Sequence, residues 1–150
     1  MSEIETYTEV DPIETIYQSE VPSLSQRSML GYETGQHSAD ATLHLRIVSN
    51  SGGGMWCKDW ASASDIQAVV IGATELTAKQ FHVLHSGRSI NTGAFVMSAL
   101  KDLGLIRPNA ENTRLHEHVP TTTFEQVVMA RIAESKGQVT KSPRRKAKEG

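Results

Sequence analysis

Residues 77–106 read TAKQFHVLHSGRSINTGAFVMSALKDLGLI, two helix-like segments with a turn between them. Thr77 followed three residues later by Gln80 fits a capping box. Ala78, Phe81, Leu84 and His85 then fall along one face of a first helix. Past the turn, Ser89 or Asn91 is a good N-cap for a helix over Asn91–Leu103. Phe95, Val96, Ala99, Leu100 and Leu103 make its apolar stripe, and Gly104 stands where a C′ glycine belongs.

The pattern extends in both directions. Downstream, LIRPNAENTRLHEHVP reads as a strand, a turn at Pro108, Asn109 and Asn112, and a second strand. TTTFEQVVMARIAESKG then reads as an amphipathic helix, with Phe124, Val127, Val128 and Ile132 on one face and Thr122 with Glu125 as its capping box. Upstream, Ser64 caps a short helix, DIQAVVI, which ends at Gly72. Before that the period is two. In ATLHLRIVS, Leu43, Leu45 and Ile47 point one way while Thr42, His44 and Arg46 point the other. NSGGG lets the chain reverse, and MWCKDWA follows as a further strand. Ser25–Ala61 therefore reads as a three-stranded antiparallel meander, and the fold class as α+β. Trp56 and Trp60 would share one face of its last strand, either in the core or with one ring as a stacking platform. Arg27, His44, Arg46 and Lys58 could line the opposite face.

The order helix, helix, tight turn, helix, hairpin over residues 64–119 resembles the winged helix-turn-helix superfamily. TAKQFHVLHSGRSINTGAFVMSALKDLGLI and the hairpin RPNAENTRLHEH carry the resemblance, which is one of architecture. It implies a helix after the turn that enters the major groove, with the preceding loop and the wing on phosphates. By position, Asn91, Thr92 and Ser98 would lie on or near the exposed face of that helix. Arg88 and Ser89 would sit just before its N-terminus, where bare amides and the helix dipole favour an anion. Arg107 and Arg114 would flank the wing, and Lys79 would extend the basic stripe. Against this, Asn91–Leu103 holds one base, Lys101, and one acid, Asp102, whereas a strong DNA reader shows several bases on that face. Helix-turn-helix units also serve as protein–protein modules.

Charge divides the chain, although its net value is only −2. Residues 1–40 hold eight acids and one base, residues 41–135 balance eight against eight, and residues 136–150 hold six bases and one acid. The expected organisation is an acidic disordered arm over 1–22, the meander over 23–63, the winged-helix-like unit over 64–119, an amphipathic helix over 120–136 and a basic disordered tail over 137–150. Lys141, Arg144, Arg145 and Lys146 make the tail either a solubilising end or an arm that seeks phosphate.

Catalytic and metal chemistry find little support. His82 with His85, and His116 with His118, lack Cys or carboxylate partners at zinc spacing. SGGG lacks the Lys-Ser/Thr ending of a phosphate loop. Cys57 is the only cysteine, which rules out an intrachain disulfide and fits a reducing cytoplasm. The first twenty residues lack the charged and apolar regions of a signal peptide, and no apolar run suits a membrane span. The expectation is a non-enzymatic, cofactor-free nucleic-acid-binding protein, for DNA rather than RNA, cytoplasmic, a monomer or homodimer. Its role would be regulatory (transcription regulation) or architectural, as in an accessory protein of a phage, plasmid or similar mobile element. The alternative is a protein–protein module, an adaptor or inhibitor whose acidic N-terminal arm engages a partner.

Overall fold

The computed structural model describes residues 12–85 and 91–141. It is α+β: a four-stranded antiparallel sheet, then helices, a two-stranded hairpin and a last helix. The sheet runs in chain order through β1 (Ile13–Pro22), β2 (Met29–His37), β3 (Leu43–Asn50) and the two-residue β4 (Ala61–Ser62). Helix α1 spans Ala63–Val70 and α2 spans Ala78–Phe81, continued by a 3₁₀ turn over His82–His85. The central α3 spans Asn91–Leu103, the hairpin pairs β5 (Ile106–Pro108) with β6 (His116–His118), and α4 spans Phe124–Lys141. None of the helices in the described residues is long and apolar enough to cross a membrane.

Two readings of the β region are corrected. The stretch expected as a disordered arm up to residue 22 is a strand from Ile13 onward, paired with β2 from Ile13↔His37 to Pro22↔Met29. Val21 is buried, and Ile16 and Tyr17 pack against the core, while Glu14 and Glu20 face water. An edge strand with one wet face carries acids at no desolvation cost, so acid content does not separate it from disorder. The strand expected at MWCKDWA is absent except for Ala61↔Leu45 and Ser62↔His44. Asn50 closes the glycine loop by accepting from Gly52 N and donating to Gly54 O. The chain then leaves β3, and Cys57 N donates to Thr92 Oγ1 at the start of α3. The two tryptophans consequently part. Trp56 packs near Phe95 and donates its Nε1–H to Ile47 O. Trp60 lies on the outer face of the sheet, with the Arg46 guanidinium 4.1 Å from its ring and its edge over Gly35.

The core fills the space between the inner face of the sheet and the helices. Leu30, Tyr32, Leu43, Leu45 and Ile47 come from the strands; Ile66, Phe81, Val96, Leu100 and Phe124 come from the helices. Local signals place the helix ends. Ser62 accepts from Asp65 N and caps α1 two residues before the expected Ser64. The Thr77–Gln80 capping box forms as expected, with Thr77 N donating to Gln80 Oε1. Gly104, at φ +94°, ends α3, and Leu105 N donates back to Leu100 O. The box at α4 sits one residue later than expected, between Thr123 and Gln126.

Helix α3 is buried on nearly all sides, more widely than its apolar stripe implies. Thr92 and Ser98, expected on an exposed face, are both 1% exposed. Their hydroxyls are satisfied inside the protein: Thr92 accepts from Cys57 N, and Ser98 donates to Ala94 O. A hydroxyl that bonds within the helix or to an adjoining strap loses its need for water. Small residues also let neighbours close in. A Cβ built on Gly93 would lie 2.5 Å from the Ala78 carbonyl oxygen of α2. Gly93→Ala gains up to about 1 kcal/mol of helix propensity but drives a methyl into fixed backbone, an overpacking cost of about 1–3 kcal/mol. Chemical denaturation should therefore show a net loss of stability; a more stable Gly93→Ala protein would mean that α2 yields freely.

Candidate functional site at the hairpin

The hairpin is tied to the body by backbone. His116 exchanges hydrogen bonds with Leu76, 2.7 Å to its carbonyl oxygen and 2.9 Å from its N–H, which adds a one-residue bridge beside β6. His118 N donates to Ala73 O, and Val119 N donates to Leu105 O. Asn109 closes the turn, its Oδ1 accepting from Glu111 N and Asn112 N and its Nδ2 donating to Thr74 O. The turn residues expected at 109 and 112 thus act through side-chain caps, since Asn112 Oδ1 accepts from Arg114 N.

This anchoring brings Arg114, at the end of the turn, over the last turn of α3, where Lys101 projects into water. Between them opens a cleft of about 480 Å³ lined by Leu24, Lys101, Pro108, Thr113, Arg114 and His116. Neither cation forms an ion pair with a carboxylate among the described residues. Two acids close in sequence are engaged elsewhere. Asp102 accepts a 2.6 Å hydrogen bond from the Tyr32 hydroxyl, and Glu117 takes Arg107 at 2.6 Å on the other face of β6. Tyr32 is fully buried, and burial first, then the Asp102 carboxylate, push its hydroxyl above the ordinary tyrosine range. It therefore remains a hydrogen-bond donor.

His116 forms the inner wall of the cleft. The residue is 6% exposed, and both ring nitrogens lack a hydrogen-bond partner among the described residues. Buried ring nitrogens in that state are uncommon and cost about 1–3 kcal/mol each if nothing occupies them. Burial first, then the charge of Lys101, hold the imidazole below the ordinary histidine value.

The expected site residues scatter. Arg114 lies in the cleft, but Arg107, half exposed, is paired to Glu117. Lys79 is exposed on α2, outside the cleft lining. Asn91 spends its amide on the Met55 carbonyl. Thr92 and Ser98 are buried, so neither can meet a ligand. Lys141 ends α4, while Arg88, Ser89, Arg144, Arg145 and Lys146 lie outside the described residues. Lys101 and His116 were missed as site residues. Their signal was topological: a base one turn before the helix-ending Gly104, and a hairpin that must return past that end. No group of three His, Cys, Asp or Glu suited to a metal occurs among the described residues. Compared with protein-family models, curated proteins and solved structures, the chain finds no match.

The imidazole of His116 makes stability depend on pH. Its folded-state pKa is depressed, so the unfolded chain binds the proton more readily. Stability is then intact above the unfolded value of about 6.5 and falls as the pH drops below it. His116→Gln should flatten that fall, seen as a smaller change in denaturation midpoint between neutral and mildly acidic buffer. Equal changes in both proteins would assign the acid sensitivity to other groups.

Proposed function

We propose that the protein binds double-stranded nucleic acid, DNA in preference to RNA, through the phosphate backbone, in a regulatory or architectural role. The observation that carries this reading is the pair of cations, Lys101 and Arg114, that meet at the hairpin without carboxylate partners among the described residues. The order of α1, α2, α3 and the hairpin supports the likeness to winged helix-turn-helix proteins. The basic segment over residues 136–150 adds charge of the same sign. Burial of α3 changes the mode of binding that the likeness implies. A helix whose residues 96–100 are all buried cannot lie in a major groove, so base-edge readout by α3 is excluded in this conformation. Phosphate contacts fix position and carry no sequence information of their own.

A second reading, a protein–protein module, draws on the same burial of α3 and on the outer edge of β1, which has no strand partner among the described residues. Met29 and Met55 are exposed beside the sheet. The two readings part in one titration of labelled duplex DNA at two salt concentrations. Each phosphate neutralised contributes about 0.9 to the log–log salt slope. Lys101→Ala with Arg114→Ala should lower the slope by about two, and deletion of Lys141–Gly150, which removes five bases, by about four to five. Absence of duplex binding at low salt would reject the nucleic-acid reading in favour of the protein module.

A further inference from the structure

We infer that the cleft between the end of α3 and the hairpin, walled by the buried and unpartnered imidazole of His116 and flanked by Lys101 and Arg114, is a binding site for a phosphate monoester. The inference rests on the reading of this surface as phosphate-seeking and names the group it takes. Three observations converge on it. The two cations come from different elements, so the fold brings them together; sequence adjacency does not. Two neighbouring carboxylates are held by other partners, Asp102 by Tyr32 and Glu117 by Arg107, and the exposed Glu111 and Glu75 form no ion pair with either cation among the described residues. The imidazole between them is fixed by the backbone bridge to Leu76, yet its nitrogens have no partner among the described residues. Both nitrogens are closed to solvent, so the ring must turn about its side-chain bonds to present its N–H to an anionic oxygen in the cleft; that contact would satisfy one of the two nitrogens.

Charge selects the monoester over other anions. A monoester carries about −1.5 to −2 at neutral pH and offers three strong acceptor oxygens. A single phosphodiester or carboxylate carries one charge and would leave one cation uncompensated, whereas along a duplex backbone each cation would meet a separate phosphate. Arg114 offers a planar fork of donors and Lys101 a mobile point charge, a pairing suited to a terminal phosphoryl group. The cleft, at about 480 Å³, also has room for the ester's organic part against Leu24 and Pro108. Two sources share this chemistry: the terminal phosphate of a nucleic-acid strand and a free mononucleotide.

The test follows the histidine ring resonances of the full chain by NMR, with the His116 signal assigned through His116→Gln. Adenosine 5′-monophosphate and inorganic phosphate should each move that signal saturably, and sodium acetate at matched ionic strength should not. The shift should be lost in the folded Lys101→Ala, Arg114→Ala double variant. In parallel, blunt duplexes bearing a 5′-phosphate or a 5′-hydroxyl are titrated. A preference of about tenfold for the phosphorylated end identifies the strand terminus as the source, and equal affinity identifies the free nucleotide, provided that the monophosphate moves His116. An unmoved His116 signal, a shift reproduced by acetate, or a shift retained in the double variant overturns the site. Failure is separable from that of the function proposed above. Duplex binding with an unmoved His116 rejects only the monoester site, whereas a moved His116 without duplex binding rejects only the nucleic-acid reading.

Discussion

A hydrogen bond from the Tyr32 hydroxyl to the Asp102 carboxylate joins the middle of the sheet to the end of α3. Arg131 of α4 donates to the backbone carbonyl of the same aspartate, so three parts of the chain meet at one residue. Burial makes this joint consequential. A tyrosine hydroxyl with no exposure must find an acceptor, and an ionised acceptor strengthens the bond. The joint also sorts charge. By holding Asp102 inward, it leaves Lys101, the preceding residue, as an uncompensated cation at the surface. The electrostatics of the hairpin cleft thus begin in the core.

The helical half was the more legible part of the sequence. The Thr77–Gln80 box, the bounds of α3 and the stop at Gly104 are each set by local chemistry within a few residues. The hairpin was equally plain, because Pro108, Asn109 and Asn112 mark its turn and side-chain caps close it. The strands were less so. β1 hides among acids because its outer face is wet. The expected strand around Trp56 and Trp60 lost to a competing pull, the hydrogen bond that draws Cys57 onto α3.

The site was legible only in fragments, since its members are far apart in sequence. Arg114 was read from the hairpin, but Lys101 and His116 acquire meaning only once the end of α3 and β6 lie side by side. Thr92 and Ser98 misled for the opposite reason: polarity suggested water, whereas each hydroxyl found its partner within the protein. Burial of a helix on both sides is a property of what packs over it. The helix's own period shows one apolar stripe and gives no sign that a sheet and a second helix close around the rest.

The separation between Tyr32 and Asp102, 70 residues, has a consequence for how the chain assembles. The pairings of β1, β2 and β3 are local and can form early, whereas the helix that covers their inner face is made much later during synthesis. Until then Tyr32, Leu45 and Ile47 have only water or a chaperone to meet. Closing the long loop costs little more entropy than closing a short one, since the penalty grows only logarithmically with length. The vulnerable interval is therefore one of waiting. A ribosome paused before residue 103 would hold a finished meander with a bare apolar face, and such a face invites association with other nascent chains.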